Sequence, residues 1–174
     1  MFFQEQPRAK EQDQVTGLAS QAVFERALER THQGTEGDLS LTLIDLDFFA
    51  FYNESYGKKE GDRCLQRVAE QIRKVIDDDA QCFRLESDLF ALLTQQNRQT
   101  SLRQAERLCQ RVQLLEIPHA PLTGEAFVSV SIGTATLGDC HQHDSTDLLT
   151  EGARQALFQA KTWGRNQARQ FFEI

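Results

Sequence analysis

The chain has no apolar run of membrane-spanning length, no CxxC pair, no surplus of basic residues and no stretch rich in proline, glycine and serine. Each absence removes a class of explanation. Without about 20 consecutive apolar residues there is no candidate transmembrane helix, and no membrane insertion is expected. Met1-Phe2-Phe3 gives way at once to polar residues, so no signal peptide is expected and the expected compartment is the cytoplasm. Cys64, Cys82, Cys109 and Cys140 are scattered and read as reduced thiols rather than as a zinc site or a disulfide framework. Lys and Arg number 19 against 26 Asp and Glu, a net charge of −7, which argues against the basic face that nucleic-acid binding requires. His141, His143 and Asp144 cluster in a polar segment with no helix or strand pattern to fix ligand geometry, so they read as a solvated loop.

What is present is one domain's worth of pattern. At 174 residues and 40% hydrophobic content the chain can bury a sizeable core, and neither a repeat nor a linker divides it. Residues 1–12 are polar and read as a flexible N-terminal segment or linker, and residues 13–174 as the folded domain. Apolar residues at helical spacing predict helices over 20–31, 49–56, 61–76, 100–116 and 144–163, the last with Ser145 or Thr146 as its N-cap. Residues 39–46 become continuously apolar, as a buried central strand does. Strands are also predicted over 80–85, 88–94, 127–137 (interrupted at Gly133) and 166–172. Only Glu86-Ser87 separates the second and third of these, the length of a tight hairpin. A hairpin in the middle of a helix–strand succession makes the sheet mixed. The fold class is therefore α+β, a central mixed sheet of about five strands flanked by helices.

Several separated motifs sit on this frame in a fixed order. They are Asp13-Gln14-Val15-Thr16-Gly17-Leu18, Ile44-Asp45-Leu46-Asp47, Asn53, Gly57 and Gly61-Asp62, then Phe83-Arg84-Leu85-Glu86-Ser87-Asp88-Leu89-Phe90, Ser131-Ile132-Gly133, and Ala160-Lys161 with Gly164-Arg165-Asn166. Together they resemble the GGDEF (diguanylate cyclase) family over nearly the whole chain, with the signature reduced to Glu86-Ser87-Asp88-Leu89-Phe90. The resemblance implies a nucleotidyl-cyclase fold, ferredoxin-like and similar to the palm of polymerases. It also implies an ancestral chemistry in which two GTP molecules, one held with Mg²⁺ by each of two facing monomers, are condensed to cyclic di-GMP.

Carried over residue by residue, the resemblance makes Asp45 a metal carboxylate, aided by the backbone carbonyl of Leu46, a sound pairing for a hard cation. Phe48 and Phe49 fall in the loop that offers backbone N–H groups to phosphates, while Ala50 stands where the family has a lysine. Lys58 and Glu54 likewise replace the family's usual histidine and aspartate. Asn53 and Asp62 match the guanine-reading pair, and an amide and a carboxylate can meet the guanine edge; each could equally be a helix cap. Lys161 and Arg165 match the phosphate-contacting cations, and could equally complement a helix C-terminus. Asp88 keeps the first acid of the signature, the vestigial base position, but Leu89 replaces the second, a Mg²⁺ ligand. Glu86 and Ser87 replace glycines that permit positive φ. The feedback motif falls on Asp77-Asp78-Asp79-Ala80, without arginine.

The sequence therefore reads as a degenerate GGDEF domain with no catalytic residue expected to function, its metal site incomplete at Asp45 and Leu46. It would act as a regulatory, interaction or GTP-sensing module in cyclic di-GMP signalling. Partners implied by the resemblance are GTP, an adjacent EAL or sensor domain in a longer protein, and a second copy as a homodimer; no cofactor is assigned beyond weak Mg²⁺ with GTP. The alternatives are a weakly active diguanylate cyclase and a structural dimerisation domain that takes no nucleotide.

Overall fold

A computed structural model describes residues 11–138 and 146–172. The cluster His141, His143 and Asp144, together with Cys140 and the cap candidate Ser145, lies outside the described residues. The elements run β1 (Ala19–Ser20), α1 (Gln21–Gly34), β2 (Leu39–Leu46), α2 (Phe49–Tyr56), α3 (Lys58–Val75), β3 (Gln81–Glu86), β4 (Leu89–Thr94), α4 (Arg98–Gln113), β5 (Val130–Leu137), α5 (Thr146–Thr162) and β6 (Ala168–Gln170), with a 3₁₀ turn at Pro121–Thr123. The strands form one sheet in the order β1-β3-β4-β2-β5-β6. β2 pairs antiparallel with β4 and β5, and β3 antiparallel with β4, whereas the outer pairs β1–β3 and β5–β6 are parallel. The sheet is mixed, as predicted, but has six strands; β1 is two residues long and carries no periodicity that a sequence could display.

β2 lies at the centre because both its faces are apolar. Ile44 and Leu46 meet Leu65, Val68 and Ile72 of α3 and Leu108 and Val112 of α4 on one side. Leu41 and Leu43 meet Phe24 and Leu28 of α1 and Leu149, Ala153 and Leu157 of α5 on the other. Side chains two apart along a strand share a face, so this division follows from the period of the strand.

Helix boundaries differ from the predicted ones where a cap, not an apolar stripe, sets them. α3 begins at Lys58, three residues before the predicted start: Gly57, at φ 83°, ends α2 and turns the chain directly into the next helix. Gly61 and Asp62 therefore lie inside α3, and Asp62 is not an N-cap. α4 begins at Arg98 because the Asn97 side chain accepts from the Thr100 N–H at 2.9 Å. β5 starts at Val130, and Phe127 makes only an isolated bridge to Pro118. β6 is confined to residues 168–170, since Arg165 and Asn166 have positive φ.

Two predicted details are corrected. The hairpin turn is Ser87-Asp88, not Glu86-Ser87. A bulge between Arg84 and Glu86 absorbs one residue, so Glu86 pairs with Leu89 and closes β3. Gly133 does not interrupt β5. It pairs with Leu43 in β2, and its missing side chain lets the α5 backbone press onto the sheet. A Cβ at Gly133 would stand 2.2 Å from the Leu157 nitrogen and 2.3 Å from the Ala153 carbonyl oxygen. Gly133→Ala is therefore expected to destabilise the fold by about 1–3 kcal/mol, the usual cost of overpacking, because backbone cannot yield as a side chain tip can. Urea unfolding of the variant against the parent measures it.

Candidate functional site

The chemistry-bearing residues meet at one end of the sheet, where β2 runs out and the β3–β4 turn folds over. Asp45, the penultimate residue of β2, pairs across the sheet with Leu89 of β4 on one side and Ser131 of β5 on the other. Lys161, in the last turn of α5, places Nζ 2.7 Å from Asp45 Oδ1. Burial pushes the Asp45 carboxyl up to about 6; Lys161 opposes the shift, while the nearby Asp88 and Asp47 add to it.

Asp47 is wholly buried, and its role was not foreseen although the spacing Asp45-Leu46-Asp47 was. Its Oδ1 accepts from Ser131 Oγ at 2.6 Å, and its Oδ2 from Ser129 Oγ at 2.7 Å and the Asn166 N–H at 3.0 Å. Its backbone carbonyl accepts from His119 Nε2 at 2.9 Å, while His119 Nδ1 accepts from the Ala120 N–H. The carboxylate thus ties the end of β2 to β5 and to the loop that carries Arg165, and the backbone carbonyl of the same residue ties it to the 117–120 segment. The alternation Ser129-x-Ser131 was the available sequence signal.

Phe48 caps α2 in the left-handed region at φ 57°. The Arg165 guanidinium lies 4.3 Å from the centroid of its ring. The Phe49 side chain is core, stacked on Tyr52. Of Phe49, only the backbone N–H, in the first turn of α2, is left as a candidate donor to an anion.

Asn53 packs against Gly61 so closely that a Cβ there would reach to within 1.8 Å of Asn53 Oδ1. That oxygen is buried and has no hydrogen-bond partner among the described residues. Asp62 follows Gly61 on α3 and pairs with Lys58 at 3.2 Å. Asn53 thus lies across the α2–α3 junction against the residue that precedes Asp62.

A second contact not foreseen braces the hairpin. Arg84 Nη1 donates to Asp13 Oδ1 and Oδ2 at 3.1 and 3.0 Å, and Arg84 Nε donates to the Ser87 carbonyl at 3.0 Å. Partial burial would raise the Asp13 carboxyl, but hydrogen bonds from Thr16 and from Arg84 outweigh it and hold it below the usual range. Cys64, Cys82 and Cys109 are free, and burial pushes each thiol up to about 12, so they are poor nucleophiles.

These residues do not fit a Mg²⁺ site. Leu89 faces Asp45 where a second carboxylate would be needed, both Asp47 oxygens are engaged, and Asp45 itself holds an ammonium. Among the described residues no group of three or more His, Cys, Asp and Glu side chains is placed to hold a metal ion. No helix among them is long and apolar enough to cross a membrane.

With the fold and this end of the sheet defined, the likeness to known proteins is direct. The family described as "Diguanylate cyclase, GGDEF domain" matches residues 10–167. The chain belongs to the GGDEF family. It is 32% identical over 169 residues to the diguanylate cyclase DgcS of Shewanella oneidensis, covering 95% of this chain and 54% of that protein. It is 34% identical over 166 residues to the cyclic di-GMP phosphodiesterase NbdA of Pseudomonas aeruginosa, covering 92% of this chain and 20% of that one. The crystal structure of the GGDEF domain of DgcB from Caulobacter crescentus in complex with c-di-GMP superposes with a TM-score of 0.83 at 24% identity, over 94% of this chain and 96% of that one, a likeness of fold. The chain thus spans about half the length of DgcS and a fifth of NbdA.

Two outcomes are expected from this geometry. Asp47→Ala leaves two serine hydroxyls and an amide N–H unpaired in the interior, at roughly 1–3 kcal/mol for each group that water cannot reach. It should lower stability by about 3 kcal/mol or more in urea unfolding. The Asp45 carboxyl should titrate near pH 6 by ¹³C NMR, and Lys161→Met should raise that midpoint, because the hydrogen bond that favours the charged form is gone.

Proposed function

We propose that this chain is a GGDEF domain that has kept nucleotide contact and lost cyclisation, and that it works as a regulatory and interaction module in cyclic di-GMP signalling. The observation that carries the reading is the strand register, which sets Leu89 directly across from Asp45. Leucine offers no oxygen to a cation. The Ser87-Asp88 turn keeps Asp88 at the first-acid position, but a general base without a positioned triphosphate contributes little. Loss of several kcal/mol of transition-state stabilisation lowers rate about tenfold for each ~1.4 kcal/mol.

GTP is the ligand. Its guanine would be read by Asn53 and Asp62 at the α2–α3 junction, an amide and a carboxylate that can together meet the donors and acceptor of the guanine edge. The phosphates would meet Lys161, Arg165 and the backbone of Phe48 and Phe49 at the start of α2. The wider partner is a further domain, of EAL or sensor type, in a longer cytoplasmic protein. The match to one-fifth of a phosphodiesterase is in keeping with this. A homodimer would serve the same regulatory role. The second reading, a weakly active diguanylate cyclase, draws on the retained Asp88 and on the likeness to DgcS.

Incubation with GTP and Mg²⁺ followed by chromatography decides between the two. No cyclic di-GMP is expected; steady product formation that Asp45→Ala abolishes establishes the cyclase instead. In calorimetric titration GTP should bind in the micromolar range or weaker. Asp62→Ala should weaken it about tenfold, the loss of one buried hydrogen-bond partner. ATP should bind less well, because adenine presents an acceptor where guanine presents the N1 donor. Equal affinity for GTP and ATP, untouched by Asp62→Ala, would leave the interaction module without a nucleotide.

A further inference from the structure

We infer that Lys161 serves this site as a built-in counter-cation: its ammonium holds, on Asp45, the place of a divalent metal, so that the pocket is closed to metal and takes the phosphates of its nucleotide metal-free. The inference rests on the reading that GTP occupies the pocket, and it adds the ionic form in which GTP is taken.

The geometry is that of a strong charge-assisted bond. Nζ stands 2.7 Å from Oδ1, and the Asp45 side chain is only 16% exposed and that of Lys161 36%. Charge explains why one ammonium suffices. Two carboxylates at this end of β2 and β4 would carry −2 and call for a divalent ion. With Leu89 in the second position Asp45 has no acidic neighbour directly across the sheet, and its own carboxylate is met by the single ammonium of Lys161. A divalent ion entering here would have to displace the ammonium and surrender its own hydration for one carboxylate. Mg²⁺ does this reluctantly, and ordinarily keeps several waters even with two carboxylates. Asp47 cannot be recruited as the missing ligand, because Ser131 holds its Oδ1 and Ser129 and Asn166 hold its Oδ2. Asp88 stands in the turn, one residue short of the position that faces Asp45.

The ammonium is also fixed from behind. α5 is seated on β5 through backbone contact at Gly133, and the segment beyond Lys161 is tied to Asp47 through the Asn166 N–H. Arg165, stacked on Phe48 four residues further on, supplies a second fixed cation. Lys161 has three donor protons. With one directed to Asp45, the others are available to a phosphate, so a single residue can neutralise the carboxylate and bind the ligand.

Two measurements test this on the whole chain. In the first, Mn²⁺ is titrated alone and free ion is followed by electron paramagnetic resonance, for the parent, Asp45→Asn, and the double variant Leu89→Glu with Lys161→Met. The parent is expected to bind no better than Asp45→Asn, and the double variant at least about tenfold tighter than either, as a second carboxylate is restored and the ammonium removed. Tight Mn²⁺ binding by the parent that Asp45→Asn removes overturns the inference. In the second, GTP is titrated calorimetrically in EDTA and in Mg²⁺. The two affinities should agree within about threefold, and Lys161→Met should weaken binding in EDTA about tenfold while Lys161→Arg retains most of it. Tightening by Mg²⁺ of about tenfold or more overturns the inference. GTP binding in neither condition sinks the GTP reading, and the Mn²⁺ titration then decides the counter-cation by itself. Circular dichroism melts of each variant separate loss of binding from loss of fold.

Discussion

The carboxylate of Asp47 is out of water and accepts hydrogen bonds from Ser131 of β5, from Ser129 just before that strand, and from the backbone of the loop that follows α5. A buried carboxylate is tolerated only when its oxygens are engaged, and here the 129–131 segment supplies a donor to each oxygen while Asn166 adds a second to Oδ2. Everything at this end of the sheet takes its position from that arrangement. β2 is held against β5 beyond its last ladder pair, so Asp45 has a fixed height. The 160–166 segment is held to the same anchor, so Lys161 and Arg165 approach from one direction. His119, seated on the Asp47 carbonyl, closes the side next to Phe48.

The same region concentrates backbone strain. Phe48, Ser87, Arg165 and Asn166 all have positive φ, and among the described residues Glu116 is the only other non-glycine that does. Each such conformation costs an L-residue roughly 1–2 kcal/mol, and each is met by a specific contact. The Arg165 guanidinium lies on the Phe48 ring, the Asn166 N–H donates to Asp47, and Arg84 donates to the Ser87 carbonyl. Ser87 occupies a position where the family's glycine would bear no such cost, so Arg84 and its partner Asp13 matter more here than they would behind a glycine turn.

What was legible in the sequence was whatever a short-range pattern records. The residues of β2 and α2 were read to their ends, because an unbroken apolar run and a glycine stop are local signals. The α3 start was missed because Lys58-Lys59-Glu60 bring no apolar periodicity, although Gly57 can launch a helix without it. The turn was misplaced by one residue because a bulge is settled by the partner strand and by Arg84, neither of which composition reveals. Asp45 and Lys161 were both singled out as site residues, but their mutual contact was not, since nothing in either neighbourhood tells one residue where the other will be in space. Asp47 escaped for the opposite reason: a buried structural acid looks, in sequence, like half of a metal motif.

The sheet's margins limit how the domain can associate. Its outer strands are β1, two residues long, and β6, three residues long. An incoming strand needs a row of unpaired N–H and C=O groups as a template, and margins this short offer one or two rungs at most. Among the described residues, β1 and β6 themselves therefore offer little template for extending one sheet into another. Recognition at those two margins would rest on side-chain chemistry rather than on generic backbone pairing.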